Sequence, residues 1–182
     1  MKVTKTELGG VLVIEPDVFG DSRGYFYENY NEERYSKYGI EFKFVQNNIS
    51  KSQKGTIRGL HYQAPDKAQT KLCSVISGRA LDFAIDIRFG SPTFGKYVAV
   101  ELSEANKLQL FIPKGFAHGF SVMEDNTIFM YKVDTYYSRE HERAIIYNDK
   151  TLAINWQIEN PIVSEKDLKA KPFQQIEKDF IY

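Results

Sequence analysis

Ala80-Leu81-Asp82-Phe83-Ala84-Ile85-Asp86-Ile87-Arg88 decides the fold class. Leu81, Phe83, Ile85 and Ile87 share one face while Asp82, Ala84 and Asp86 share the other, which is the period of a β-strand. The same reading spreads outward. Lys96 to Leu102 alternates with Val98, Val100 and Leu102 together, Leu108, Leu110 and Ile112 continue the pattern, and Asn126 to Val133 reads as another strand. Turn chemistry separates these runs at Ser77-Gly78, Gly90-Ser91-Pro92, Glu104 to Asn106, Pro113 to Gly115 and Glu124 to Asn126. Helix signals are few. Asn31 can cap a short turn that opens with Glu32 and Glu33, has Lys37 late and Gly39 just past its end. Ser164-Glu165-Lys166-Asp167 has the Ser-x-x-acid form of a helix start. Many short strands with two small helices predict a mostly β protein, a sandwich or barrel of the jelly-roll kind whose mouth can hold a ligand.

Composition bounds the function. The 182 residues, with no repeat, low-complexity tract or Pro/Gly/Ser linker, read as one domain, residues 1–182, long enough to build an ordinary core. Lysine plus arginine and aspartate plus glutamate each number 24, so the chain lacks the basic footprint of a nucleic-acid binder. The lone cysteine, Cys73, cannot make an intramolecular disulfide. With no apolar leader at Met1 to Gly10 and no long apolar run, the reading is a cytoplasmic protein without a membrane partner. Aromatic residues reach 14%, mostly Tyr and Phe, which suits strands and an apolar pocket with polar handles.

Of the three histidines, His61 and His118 sit in glycine-bearing runs, Gly55-Thr56-Ile57-Arg58-Gly59-Leu60-His61-Tyr62-Gln63 and Pro113-Lys114-Gly115-Phe116-Ala117-His118-Gly119-Phe120. Each reads as lying at a strand end. Three roles compete: a core hydrogen bond, a metal ligand, or acid–base chemistry. The Pro-x-Gly-x-x-His run is similar to the second motif of cupin jelly rolls, which often bind a metal. Where such proteins usually place two histidines and a carboxylate in the first motif, this chain has His61-Tyr62-Gln63. Two spaced histidines without a nearby carboxylate make a poor transition-metal site, so no metal and no other cofactor is expected. His141 reads as a surface-loop histidine.

Across nearly its whole length the chain resembles the dTDP-4-dehydrorhamnose 3,5-epimerase family. The matching stretches are Val18 to Phe26, Phe44 to Asn48, Lys54 to Gln63, Ala68 to Leu72, Ser91 to Gly95, Ile112 to Phe120, Tyr131-Lys132 with Tyr136-Tyr137, and Ser164 to Asp167. Each is a modest signal alone; in this order and spacing they are highly specific. The resemblance implies a cupin-type jelly-roll barrel acting as an isomerase. Its reaction inverts C3 and C5 of a nucleotide-linked 4-keto-6-deoxyhexose, dTDP-4-dehydro-6-deoxy-D-glucose to dTDP-4-dehydro-L-rhamnose, in the supply of deoxysugars for surface polysaccharide.

Both reacting protons flank the C4 ketone. Inversion therefore needs a base on one face, fixed positive charge at the enolate oxygen, and an acid on the other face. A histidine suits the base, since its ordinary pKa of ~6.5 lies near working pH. The resemblance gives His61 the base role and Asp167 the orienting carboxylate, which could otherwise serve only to cap its helix. It gives Lys71 the enolate-stabilising charge, with Arg58 and His118 lining the site, and Tyr131 the returning acid. On the strand pattern Tyr131 shares a face with Phe129 and Val133, which should point into the barrel. Tyr137 matches a ring that stacks on thymine. Arg23, Glu28, Gln46, Asn48, Glu142 and Lys166 match substrate-contacting positions. The family's homodimer implies that the segment carrying Arg23, Phe26 and Glu28 acts on the partner's site.

The chain departs from the family's pattern at Ala144, Tyr147 and Lys150, where Gly, Trp and Pro are usual, at Arg139 for a proline, and at Trp156-Gln157 for Trp-Pro. These departures read as lying around the nucleotide end and the pocket wall, so they bear on nucleotide and sugar identity rather than reaction type. Two alternatives stand beside the 3,5-epimerase: an enzyme acting at C3 or C5 alone, and a non-enzymatic or metal-dependent cupin that binds a sugar. Such a binding module need not keep His61, Lys71, Tyr131 and Asp167 together.

Overall fold

The alternating stretch around Phe83 becomes a central strand of the computed structural model, which describes residues 1–182. In chain order the strands are β1 (Lys2–Lys5), β2 (Leu12–Glu15), β3 (Val18–Asp21), β4 (Gly24–Tyr27), β5 (Gln46–Ser52), β6 (Ile57–Gln63) and β7 (Lys71–Ser77). They continue with β8 (Arg79–Asp86), β9 (Tyr97–Ser103), β10 (Gln109–Ile112), β11 (Phe116–Val122), β12 (Thr127–Val133) and β13 (Glu142–Ala144). One sheet has the order β1-β2-β10-β7-β12-β5, a second has β13-β6-β11-β8-β9, and β3-β4 form a separate hairpin. Every ladder is antiparallel. From β5 to β12 the chain keeps crossing between the two sheets, which folds them into a jelly-roll barrel.

The five-stranded sheet is covered on both faces. Ala80 and Ala84 look inward and pack with Cys73, Leu110, Phe120, Val122 and Phe129 in the core between the sheets. There Phe120 and Phe129 stack across the barrel with centroids 3.9 Å apart and planes at 4°. Leu81, Phe83, Ile85 and Ile87 look outward, yet they too are buried, under Leu152, Trp156 and Phe173 from the C-terminal segment. Phe83 meets Trp156 at 4.6 Å. Burying such a side chain contributes about 1.5–3 kcal/mol, so this outer layer is a second core.

The two short helices begin where the capping residues place them. In α1 (Glu32–Ser36), Asn31 Oδ1 accepts from the Arg34 N–H at 3.1 Å, and Gly39 takes φ +79° beyond its end. In α2 (Glu165–Leu168), Ser164 Oγ accepts from the Asp167 N–H at 3.2 Å. No helix is long and apolar enough to cross a membrane.

Candidate active site

His61 and His118 lie inside strands, not at their ends, which corrects the reading of their positions. They are cross-strand partners on β6 and β11, so both side chains leave the same face of the sheet. The glycines serve close backbone approach. A Cβ on Gly59, which has φ +140°, would sit 2.5 Å from Gly119 Cα, and a Cβ on Gly119 would sit 2.9 Å from the Arg58 carbonyl. Two strands pressed this closely bring both histidines onto one wall of a cavity of about 690 Å³.

The opposite wall comes from the other sheet. Tyr131 pairs with Asn48 on one side and Cys73 on the other, forming a row across β5, β12 and β7. Tyr131 and Asn48 line the cavity. Tyr131 does share its inward face with Phe129, as the alternation predicts. Burial pushes its phenol pKa up, with Arg58 acting in the opposite direction.

His61 Nε2 lies 2.7 Å from Asp167 Oδ1. The helix cap and the dyad do not compete, because the cap uses the backbone N–H of Asp167 and leaves the carboxylate free for His61. Asp167 is buried, which alone would raise its pKa. The hydrogen bond and charge of His61, with the Gly59 N–H and Ser164, outweigh this and hold it below the ordinary carboxylate range. The pair therefore leaves Nδ1 of a half-buried imidazole as the free nitrogen.

Lys71 supplies a buried cation. Its ammonium donates to the His61 carbonyl at 3.4 Å, lies 3.4 Å from His118 Nδ1, and stands 5.8 Å from the Tyr131 ring centroid. Burial pulls its pKa down, opposed by the nearby Cys73, Asp82 and Glu142. Arg58, more exposed, donates to Ser52 Oγ at 3.2 Å and also lines the cavity. A low-dielectric pocket with fixed donors can stabilise developing negative charge on a bound oxygen.

His118 Nε2 lies 2.6 Å from Asp82 Oδ1, with both side chains buried. The premise that neither metal-motif histidine has a carboxylate nearby thus fails at His118, while the Asp167 contact of His61 is the one the resemblance implies. In the sequence Asp82 is only the polar member of an alternating face, and alternation alone does not say that this face turns inward. Cys73 Sγ lies 3.5 Å from the same His118 nitrogen. Cys73, Asp82 and His118 are the one group of donors close enough together to hold a metal ion.

At the mouth, Glu142 accepts from Lys166 at 2.5 Å and from the Tyr137 hydroxyl at 3.0 Å, and all three line the cavity. Burial would raise the Glu142 pKa, but Lys166, Tyr137 and His61 bring it below its ordinary value. Gln46 stands behind this rim. Its Oε1 accepts from the Tyr137 N–H at 3.1 Å and its Nε2 donates to Asn48 Oδ1 at 2.8 Å.

Arg23 and Glu28 are not brought to the cavity of their own chain. Arg23 is exposed and paired with Asp21, and Glu28 pairs with Arg34 at 2.5 Å. The nearby β3-β4 hairpin leaves Phe19, Tyr25 and Phe26 largely exposed. The reading of Tyr147 and Trp156 as pocket wall is also corrected: the Trp156 indole donates to the Tyr147 carbonyl at 2.8 Å, and both pack in the outer layer behind the His61 sheet. His141 is partly buried, with Nδ1 2.8 Å from Ser138 Oγ.

Comparison with known proteins matches the chain to one family. Residues 5–175 fit the family model described as dTDP-4-dehydrorhamnose 3,5-epimerase. The chain is 49% identical over 174 residues to the dTDP-4-dehydrorhamnose 3,5-epimerase of Shigella flexneri, covering 95% of this chain and 96% of that one. The fold superposes with a TM-score of 0.96 on dTDP-6-deoxy-D-glucose-3,5-epimerase from Legionella pneumophila in complex with dTDP-4-keto-L-rhamnose. That match has 46% identity and covers 100% of this chain and 98% of that one. A 3'-monoepimerase from Streptomyces bikiniensis, in complex with dTDP, is 26% identical with a TM-score of 0.91, covering 98% of this chain and 92% of that one.

Proposed function

The chain belongs to the dTDP-4-dehydrorhamnose 3,5-epimerase family and is an isomerase, and from that premise we propose how its residues divide the work. The substrate is dTDP-4-dehydro-6-deoxy-D-glucose, and the product of inversion at C3 and C5 is dTDP-4-dehydro-L-rhamnose. His61 Nδ1 removes the proton next to the C4 ketone. Asp167 holds the ring and stabilises the imidazolium that forms, as a charge-assisted hydrogen bond does. The electron pair moves onto the C4 oxygen, where Lys71, helped by Arg58 and His118, meets the negative charge. Tyr131 returns a proton to carbon from the opposite face, and exchange with solvent restores both groups.

One observation carries this reading: the His61–Asp167 dyad and Tyr131 stand on opposite sheets of one cavity, with the buried Lys71 ammonium in reach of both walls. A base and acid on the same wall would return the starting configuration. No step requires a metal or a cofactor, since general acid–base catalysis and a fixed cation supply each proton and charge.

The rim then takes the nucleotide. Tyr137 stacks on the base, Lys166 meets the pyrophosphate, and Asn48 and Glu142 read polar edges, with Gln46 holding Tyr137 and Asn48 in place. Residues 1–182 act as one domain in a cytoplasmic homodimer that supplies deoxysugar for surface polysaccharide. Arg23, Phe26 and Glu28 reach the partner's cavity. The exposed aromatics of the β3-β4 hairpin support that assembly, since a cluster of exposed apolar rings marks an interaction surface.

The experiment is incubation with dTDP-4-keto-6-deoxyglucose in D₂O, following deuterium at C3 and C5 by NMR. Label at both carbons with inversion supports the 3,5-epimerase. Label at one carbon supports the single-centre enzyme, the second reading, which the fold likeness to a 3'-monoepimerase favours. Binding without label overturns catalysis. The same assay after exhaustive chelation should show no loss of rate.

A further inference from the structure

Beneath His118 lies a group of side chains that the proposed proton transfers do not use as a unit. Cys73 Sγ on β7, an Asp82 carboxylate oxygen on β8 and a His118 ring nitrogen on β11 all lie within 4.8 Å of one another. All three residues are buried. Cys73 comes from the six-stranded sheet and the other two from the five-stranded sheet, so the donors converge from both walls of the barrel. His118 Nε2 is the hub, 2.6 Å from Asp82 Oδ1 and 3.5 Å from Cys73 Sγ. A second observation points to a ligand. Asp82 Oδ2 is buried and has no hydrogen-bond partner, an arrangement that native interiors rarely leave unanswered.

We infer that Cys73, Asp82 and His118 form an inhibitory site for a thiophilic divalent cation of the zinc class. Sulfur, imidazole nitrogen and carboxylate oxygen are the donors such an ion prefers, at about 2.0–2.3 Å. One thiolate and one carboxylate neutralise its two charges, which suits a buried site, and the second Asp82 oxygen or a water from the cavity completes four donors. Coordination forms bonds to Cys73 Sγ, His118 Nε2 and Asp82, and it releases the thiol proton to solvent. The imidazole proton moves from Nε2 to Nδ1. That nitrogen lies 3.4 Å from the Lys71 ammonium, which loses the acceptor it faced. The occupied site therefore displaces the cation that the enolate requires, and inhibition follows without any metal taking part in the reaction. This last consequence rests on the function proposed above; metal binding does not.

The test uses the full chain, stripped with a chelator and titrated with Co²⁺ or Zn²⁺ alone. One equivalent of Co²⁺ should produce a thiolate-to-cobalt charge-transfer band in the near ultraviolet and raise the Tm. One equivalent of Zn²⁺ should abolish deuterium exchange into substrate, and added chelator should restore it. Cys73→Ala should keep the basal exchange rate, lose the band, and bind the ion about 10–100-fold more weakly or worse. Cys73→Ser reports the same way if the alanine variant folds poorly. No band on the parent protein, or a band and stabilisation that survive loss of Cys73, overturns the site. Binding at Cys73 with unchanged exchange overturns its inhibitory role. A parent protein that never exchanges substrate protons refutes the proposed function instead, and the band and Tm still decide the site.

Discussion

Replacing Asp167 by Asn separates a catalytic carboxylate from a helix cap. The side chain is nearly isosteric, and the cap bond from the Asp167 N–H to Ser164 Oγ involves only the backbone and persists. The bond that changes is the one at 2.7 Å to His61 Nε2. A hydrogen bond to a charged partner contributes about 1.5–3 kcal/mol, which is about 10–150-fold once the imidazolium has formed. Tautomer adds to this. An asparagine amide donates to Nε2, so the ring proton stays on Nδ1, the nitrogen that should accept from carbon. In a serine-protease triad the equivalent error costs about 10⁴-fold. Asp167→Asn should therefore lose between about 10² and 10⁴ in the rate of deuterium entry at both C3 and C5, with little change in nucleotide affinity. The assay is NMR exchange under saturating substrate, with circular dichroism and Tm confirming the fold. Exchange within threefold of the parent in a well-folded variant would refute the dyad and leave Asp167 as a structural residue.

Two further outcomes follow from other parts of the molecule. Tyr131→Phe removes one hydroxyl and little packing, so protons at C3 and C5 should still exchange through His61 while net inversion slows at one or both centres. An equal fall in exchange and inversion, measured on one sample, shows that Tyr131 is not acting only as the returning acid. Asp86 lies outside the site, where burial would raise its pKa but hydrogen bonds from Arg88, Ser91 and Thr93 bring it down to about 2. Because its folded pKa is depressed, its contribution is present above the ordinary carboxylate pKa and is lost as pH falls from about 4 to about 2. That contribution is about 2 kcal/mol. Urea unfolding of the parent and of Asp86→Asn should converge across that window, and parallel curves would count against it.

Much of the barrel was readable because alternation, turn residues and caps each act over a few residues. Leu81 to Ile87, Asn31 and Ser164 behave as their neighbours dictate. What alternation does not carry is which face meets what. Leu81, Phe83, Ile85 and Ile87 look like the buried half of a half-solvated strand, yet they face outward and are buried by the C-terminal segment, while the opposite face, with Asp82, is buried against the other sheet. For the same reason Tyr147 and Trp156 read as pocket residues and turned out to be outer packing. The pairing of His61 with Asp167 was legible through family motifs and not through spacing. His61 and Asp167 are 106 residues apart, and nothing local joins them. The role of Gly59 and Gly119 was not legible, because a glycine needed for a turn and one needed for strand-to-strand contact look alike in a sequence. The Asp82–His118 pair had no signal at all, since it depends on two strands becoming neighbours.

The separation between His61 and its carboxylate has a consequence for how activity appears as the chain is made. The histidine leaves the ribosome with β6, but α2 follows 106 residues later, about 5–20 s at ordinary rates of synthesis. In that interval the strands of the barrel can pair and the cavity can take shape with its imidazole unoriented. A chain cut short before α2 keeps most of the walls and lacks the carboxylate that holds the imidazole. Such a fragment would be inert toward a keto sugar, not a careless catalyst that scrambles its stereocentres. Activity is thus withheld until α2 has been made.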